Sequence, residues 1–224
     1  MKVILIFGAT GMVGQGLLRE SLEDASIEKV IVIGRTPSNK NHPKLHEIVR
    51  TDLFNYTEIE NQLTGIDATF FCLGTTSSGK SEAEYTRITR DLTLTAAKAL
   101  LHVNPQMTFI YVSGDGADSN ETSGSMWARV RGQTENELRK LPFKKIFIFR
   151  PGVIQPLDGI KSKTTAYRLG YSFLKPALPV LRYLFPKFIT STKLLGRAML
   201  KVASQGYDKP IIKAEDIYEL SLSK

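Results

Sequence analysis

The chain has 224 residues, of which 42% are hydrophobic and 23% charged, with a formal net charge of +8. That length suits one large α/β domain, and the composition excludes a disordered or fibrous chain. The lone cysteine, Cys72, excludes an internal disulfide and suits a reducing compartment. The apolar start is too short to span a membrane and no cleavage-site pattern follows it, so the chain reads as cytoplasmic.

Residues 2–7 (KVILIF) form a continuous apolar run, as expected of a strand covered on both faces. They lead into Gly8-Ala9-Thr10-Gly11-Met12-Val13-Gly14, and residues 12–24 follow with Val13, Leu17, Leu18 and Leu22 at helical spacing. A glycine turn between a strand and a helix is a phosphate cradle. Gly8 lets the chain turn, Gly11 leaves room for a pyrophosphate, and Gly14 lets the helix approach the sheet. The backbone N–H groups around Thr10, Met12 and Val13 then face the phosphates. The spacing is GxxGxxG rather than GxGxxG.

Residues 29–33 predict the second strand, which ends Ile33-Gly34-Arg35. An NAD site places an acid at this point to bind the ribose hydroxyls. Arg35 instead suits the 2′-phosphate of NADP, with Lys40 assisting, although a plain loop arginine fits the same position. NADP is therefore the cofactor expected, ahead of NAD. Residues 45–50 are a weaker third strand. Asp52 and Leu53 follow it at the adenine edge, where Asp52 also suits a helix N-cap, and residues 55–63 suit a short helix.

Residues 66–73 predict the fourth strand, running into Leu73, Gly74 and Thr75, small enough for a ribose to pass close by. Cys72 lies in an apolar run and reads as an inert strand residue. Residues 82–102 suit a long helix and residues 107–112 a fifth strand. Ser113 then stands at a strand end, where its hydroxyl would donate to a substrate carbonyl or merely cap the loop. Residues 125–140 suit a helix and residues 145–149 a sixth strand. His42, His46 and His102 show no metal-ligand spacing, so no metal site is expected.

Strands alternating with helices predict a Rossmann-like, doubly wound parallel sheet of six strands, with ligands at the carboxyl ends. Between Arg150 and Lys187 five prolines break the pattern. Leu174, Leu178, Leu181 and Phe185 keep helical spacing, residues 191–204 suit a helix, and residues 209–212 a last strand before a helix from Ala214. The expected organisation is one domain, residues 1–224, with residues 155–207 as a small C-terminal cap.

The charge is concentrated in that cap. No Asp or Glu occurs between Asp158 and Asp208, while nine Lys or Arg do, so the remainder of the chain sums to about −1. Solvated helix faces explain such a segment. So does residence of 159–207 at an anionic membrane surface. No recognition motif accompanies the charge, which argues against nucleic acid.

The stretches GATGMVG, FCLGTTSSGK, Arg87-to-Asp91 R-x-x-R-D, VSGDGADSN, ARVRGQTENEL and FRPGV are collinear over roughly residues 1–155. They resemble the atypical short-chain dehydrogenase/reductase superfamily, and within it the family of the human Tat-interacting oxidoreductase-like protein and its bacterial relatives. The resemblance implies NADP binding and a small pocket under the cap. It implies a Ser–Tyr–Lys catalytic set, in which the serine is Ser113. The tyrosine position falls on Trp127 and the lysine position on Arg131, while Pro151 and Val153 would pass the nicotinamide.

An indole N–H donates but does not titrate in a useful range, so Trp127 cannot be a general acid. It would stack on a ligand or pack in the core. Arg131 can still donate to ribose hydroxyls but stays charged. Three readings follow: an NADP-binding oxidoreductase-like protein with an altered dyad, either a weak reductase of an unidentified small molecule or a redox sensor; a non-catalytic NADP-dependent scaffold acting through a protein partner; or a peripheral membrane or quinone-associated protein.

Overall fold

The computed structural model describes residues 1–160, 178–185 and 187–222. Its main sheet has seven parallel strands: β1 (Val3–Phe7), β2 (Lys29–Gly34), β3 (Leu45–Val49), β4 (Ala68–Phe71), β5 (Thr108–Val112), β6 (Lys145–Arg150) and β9 (Ile211–Lys213), in the order β3-β2-β1-β4-β5-β6-β9. The order reverses between β1 and β4, which opens a crevice at their carboxyl ends.

The continuous apolar strands have a physical cause. Ile4, Ile6, Val30 and Val32 face one core, shared with Leu17, Leu18, Leu195 and Met199. Leu5, Phe7, Ile31 and Ile33 face the other, shared with Leu100, Phe109 and Leu138. Side chains alternate along a strand, so two buried faces require both sets to be apolar. Helices α1 (Met12–Glu23) and α6 (Thr192–Gln205) cover the first face; α3 (Leu92–Val103) and α4 (Met126–Leu138) cover the second.

The structure differs from the sequence reading in four places. The helix expected over 82–102 is α2 (Glu82–Thr86) joined to α3 by a π turn, Arg87–Asp91. The helix expected over 55–63 is a 3-10 helix, Thr57–Leu63. The strand expected over 209–212 is β9, which joins the main sheet beside β6. A second small sheet pairs β7 (Val153–Gln155) with β8 (Ile189–Ser191), strands too short to show a period in sequence.

Within residues 155–207, Leu174 and the basic residues 161, 163, 168 and 175 lie outside the described residues. Helix α5 spans Leu178–Leu184. Helix α6 is a layer helix packed on α1, held closely by missing side chains. A Cβ on Gly16 would sit 2.6 Å from the Thr192 carbonyl oxygen, and one on Gly196 would sit 3.2 Å from the Leu17 Cα. The buried Glu20 accepts from Arg197 at 2.6 Å across this contact.

Candidate functional site

The glycine turn lies where β1 meets α1. Gly8 adopts φ +77, and a Cβ there would lie 2.9 Å from the backbone of Cys72 and Leu73. A Cβ on Gly14 would come within 2.1 Å of the Gly8 carbonyl oxygen. The turn is thus closed tightly against β4 and against its own helix. Gly11 is the N-cap of α1, makes no side-chain cap, and is followed by no acid in the first turn. A helix cannot bond its first N–H groups internally, so a bare N-terminus attracts an anion. Val13 is half-buried on the core, and the Thr10 carbonyl accepts from the Gln15 side chain at 3.1 Å.

Arg35 is exposed just beyond β2 and, among the described residues, forms no ion pair. Asp52 is exposed and accepts from the Phe54 N–H at 2.8 Å, which turns the loop; the helix itself begins only at Thr57. Leu53 is buried with Ile33 and Ile48. These three residues stand apart from the cavity described next. Burial pushes the Cys72 thiol up to about 12, which keeps it protonated and unreactive.

Seven of the sequence-predicted residues converge. Met12, Gly74, Thr75, Ser113, Trp127, Arg131 and Pro151 line one cavity of about 440 Å³ at the carboxyl ends of the strands. Asp115 and Ile154 also line it. Val153 is not among them; it is 47% exposed on β7, and its neighbour Ile154 faces inward. The Pro151 carbonyl accepts the Asp115 N–H at 3.1 Å, which joins the loops after β5 and β6.

Trp127 lies in the first turn of α4 and Arg131 follows one turn later, so both point to the same side. The half-buried indole rests on the loop after β5, where a Cβ on Gly114 would lie 3.0 Å from its ring. Arg131 is buried. Its Nε donates to the Tyr85 hydroxyl at 3.1 Å, and its Nη1 donates to the Tyr111 hydroxyl at 3.3 Å and the Val112 carbonyl at 3.0 Å. Burial alone would lower the Arg131 pKa, but Tyr111 and Tyr85 outweigh it and hold the guanidinium above its ordinary value. Tyr111 is raised in turn by burial, against the pull of Arg131.

Ser113 is arranged differently from the sequence expectation. Its Oγ donates to Glu135 Oε1 at 2.5 Å, and both residues are buried. Arg150 clamps the same carboxylate, with Nε 3.1 Å from each oxygen and Nη2 2.5 Å from Oε2. The Ser113 proton is therefore engaged, and the oxygen offers the cavity lone pairs rather than a hydrogen.

Glu135 and Tyr111 were missed in sequence, and no spacing there argued for Tyr85. Glu135 had a signal: it lies one helical turn beyond Arg131, completing a 127-131-135 stripe. The tyrosines had none, since α2 and β5 bring them to Arg131 only through the fold.

The arrangement fits a dinucleotide. The bare α1 N-terminus would hold the pyrophosphate, Gly74 and Arg131 the nicotinamide ribose, and Pro151 the ring. The bound group would supply the redox step, while the chain contributes binding and orientation.

Comparison with known proteins agrees with this geometry. The NAD dependent epimerase/dehydratase family matches residues 4–126. Protein HTATIP2 of Rattus norvegicus is 31% identical over 156 residues, covering 68% of this chain and 63% of that protein. The protein named "FMP52, mitochondrial" of Debaryomyces hansenii is 31% identical over 229 residues, covering 96% and 95%. Among solved structures, a short chain dehydrogenase family protein from Francisella tularensis superposes with a TM-score of 0.68 at 15% identity, covering 98% of this chain and 99% of that one. The Bordetella bronchiseptica enzyme WbmF in complex with NAD+ gives 0.69 at 13% identity, covering 99% and 76%. The chain thus belongs to the NAD dependent epimerase/dehydratase family, as an atypical short-chain dehydrogenase/reductase close to the HTATIP2 and FMP52 proteins.

Proposed function

We propose that this protein binds NADP(H) in the crevice above α1 and that its redox chemistry is weak, because the cavity lacks the tyrosine–lysine pair. The observation that carries this reading is the convergence of an uncapped helix N-terminus with Gly74, Ser113, Trp127, Arg131 and Pro151. Arg35 supports the phosphorylated cofactor, since no acid stands at the end of β2. Ser113 accepts a hydrogen bond from a substrate hydroxyl, and Arg131 keeps a positive charge beside the ribose.

The test is a thermal-shift series with NADPH, NADH and ATP. NADPH should raise the melting temperature most. A larger shift with NADH or ATP refutes the Arg35 assignment. NADPH oxidation with a panel of aldehydes, ketones and quinones then separates the enzyme from the scaffold: tight binding with no turnover selects a scaffold acting through a protein partner.

A second reading is favoured by the outer surface. Val180, Tyr183, Leu184, Phe185 and Phe188 are all exposed, beside the exposed Lys187. This apolar surface within an acid-free basic segment suits an anionic bilayer face. No helix among the described residues is long and apolar enough to cross a membrane. Flotation with anionic but not zwitterionic liposomes supports surface residence, and flotation insensitive to lipid charge and salt refutes it. The name of the Debaryomyces relative sets a mitochondrial address against the cytoplasmic expectation, and cell fractionation decides between them.

A further inference from the structure

We propose that the Trp127 cavity is a subsite for a small planar carboxylic acid, whose carboxylate docks on Arg131. Arg131 is only 8% exposed, yet among the described residues it has no ion-pair partner. The acid one turn away, Glu135, is already bound by Arg150 and Ser113. Neutral groups meet the rest of the guanidinium: two tyrosine hydroxyls, one carbonyl, and the rings of Tyr111 and Trp127, each 5.9 Å from the Arg131 Cζ. A buried charge without a counter-charge is costly, and a ribose, being neutral, does not provide one.

The unused part of the guanidinium faces the cavity. Arginine carries five N–H donors. The Nε hydrogen goes to Tyr85 and both Nη1 hydrogens go to Tyr111 and Val112. The remaining wing, Nη2, lies beside Gly74, where a Cβ would stand 3.3 Å away. The bare Gly74 leaves that wing open to the cavity that both residues line. Its two hydrogens allow one bond to a ribose hydroxyl and one to a carboxylate oxygen. Trp127 supplies an aromatic wall next to it, which favours a ring or another flat group attached to the acid. The pyrophosphate is assigned to the N–H groups at the start of α1, whose Met12 also lines this cavity, so Arg131 is left for a second anion.

The experiment titrates the full-length protein with benzoate, benzamide and phenyl phosphate at constant ionic strength. Trp127 is the chain's single tryptophan, so its fluorescence reports on this cavity. Thermal shift gives a second readout. Benzoate should bind at least about tenfold more tightly than the isosteric neutral benzamide, as expected for a hydrogen bond to a charged group. Arg131→Met should abolish the discrimination. Arg131→Lys, which keeps the charge and guards against misfolding, should retain part of it.

Equal binding of benzoate and benzamide, no benzoate response, or undiminished discrimination in both variants overturns the proposal. Tighter binding of phenyl phosphate than of benzoate reassigns the subsite to phosphate and also overturns it. The titration needs no cofactor and so does not rest on the NADP reading. Repeated with saturating NADP+, benzoate binding should persist; displacement by NADP+ would place the probe in the cofactor's half and refute the subsite. Benzoate binding without any NADP+ thermal shift would refute the cofactor reading alone.

Discussion

Ser113 Oγ donates a hydrogen bond to Glu135 Oε1 at 2.5 Å, linking the carboxyl end of β5 to the last turn of α4. Arg150 closes the group from β6. Removing one member of a buried pair leaves the other charged and alone. Glu135→Ala should therefore destabilise the protein by roughly 3–5 kcal/mol, a fall in melting temperature on the order of 10 °C for a chain of this size. Glu135→Gln keeps an oxygen and should cost clearly less. Calorimetry on the two variants checks this; equal and small effects would show that the pair carries little of the fold's stability.

By resemblance, we assign Trp127 and Arg131 to the tyrosine and lysine positions of the superfamily. A Trp127→Tyr, Arg131→Lys double variant should gain NADPH-dependent reductase activity, by roughly 100-fold if the new hydroxyl acts as general acid. Initial rates of NADPH oxidation with the aldehyde and ketone panel measure it. A folded double variant with no gain would show that α4 is not an altered active site.

Arg35 is exposed and unpaired among the described residues, so its removal should not disturb the fold. Arg35→Ala should weaken NADPH binding by roughly 10–100-fold, the loss of a charge-assisted contact, while leaving NADH binding unchanged. Titrations followed through Trp127 fluorescence decide it. An equal loss for both cofactors would remove Arg35 from the 2′-phosphate site.

Asp216 ties helix α7 (Ala214–Leu222) to β9. It accepts from Lys209 Nζ at 2.7 Å, the Lys213 N–H at 2.9 Å and the Tyr207 hydroxyl at 3.1 Å, and is almost fully buried. Burial opposes its charge, but the Lys209 pair and the other two donors outweigh it and hold the carboxyl below its ordinary 3.8. A depressed folded pKa gives stability that is fully present above 3.8 and lost as pH falls through the lower, folded value. Asp216→Asn should cost about 1.5–3 kcal/mol at neutral pH and flatten the acid limb of the stability curve. Urea melts across the acid range test this; an unchanged acid limb would refute the assignment.

The parallel sheet was legible because its cause is local. Strands buried on both faces need apolar residues at every position, and Val3–Phe7 carries that requirement in five consecutive residues. The glycine turn was legible for a similar reason, since a Cβ at Gly8 or Gly14 has no space. The π turn at Arg87–Asp91 was not, because one extra residue in a turn leaves the apolar spacing of a helix nearly unchanged. Helix α6 was legible as a helix but not as a partner of α1, since an apolar stripe does not name the surface that covers it.

By itself, then, the sequence determined the first six strands of the main sheet and the glycine turn between β1 and α1. These follow from periodicity, backbone sterics and residue chemistry, which are properties of neighbours in the chain. Tertiary structure alone decided that the Ser113 proton is held by Glu135, that Tyr85 and Tyr111 embrace Arg131 without neutralising it, and that Gly74 leaves one guanidinium wing open. The physical reason is that hydrogen bonds and counter-charges act between groups 15 to 46 residues apart, and only the fold sets those distances.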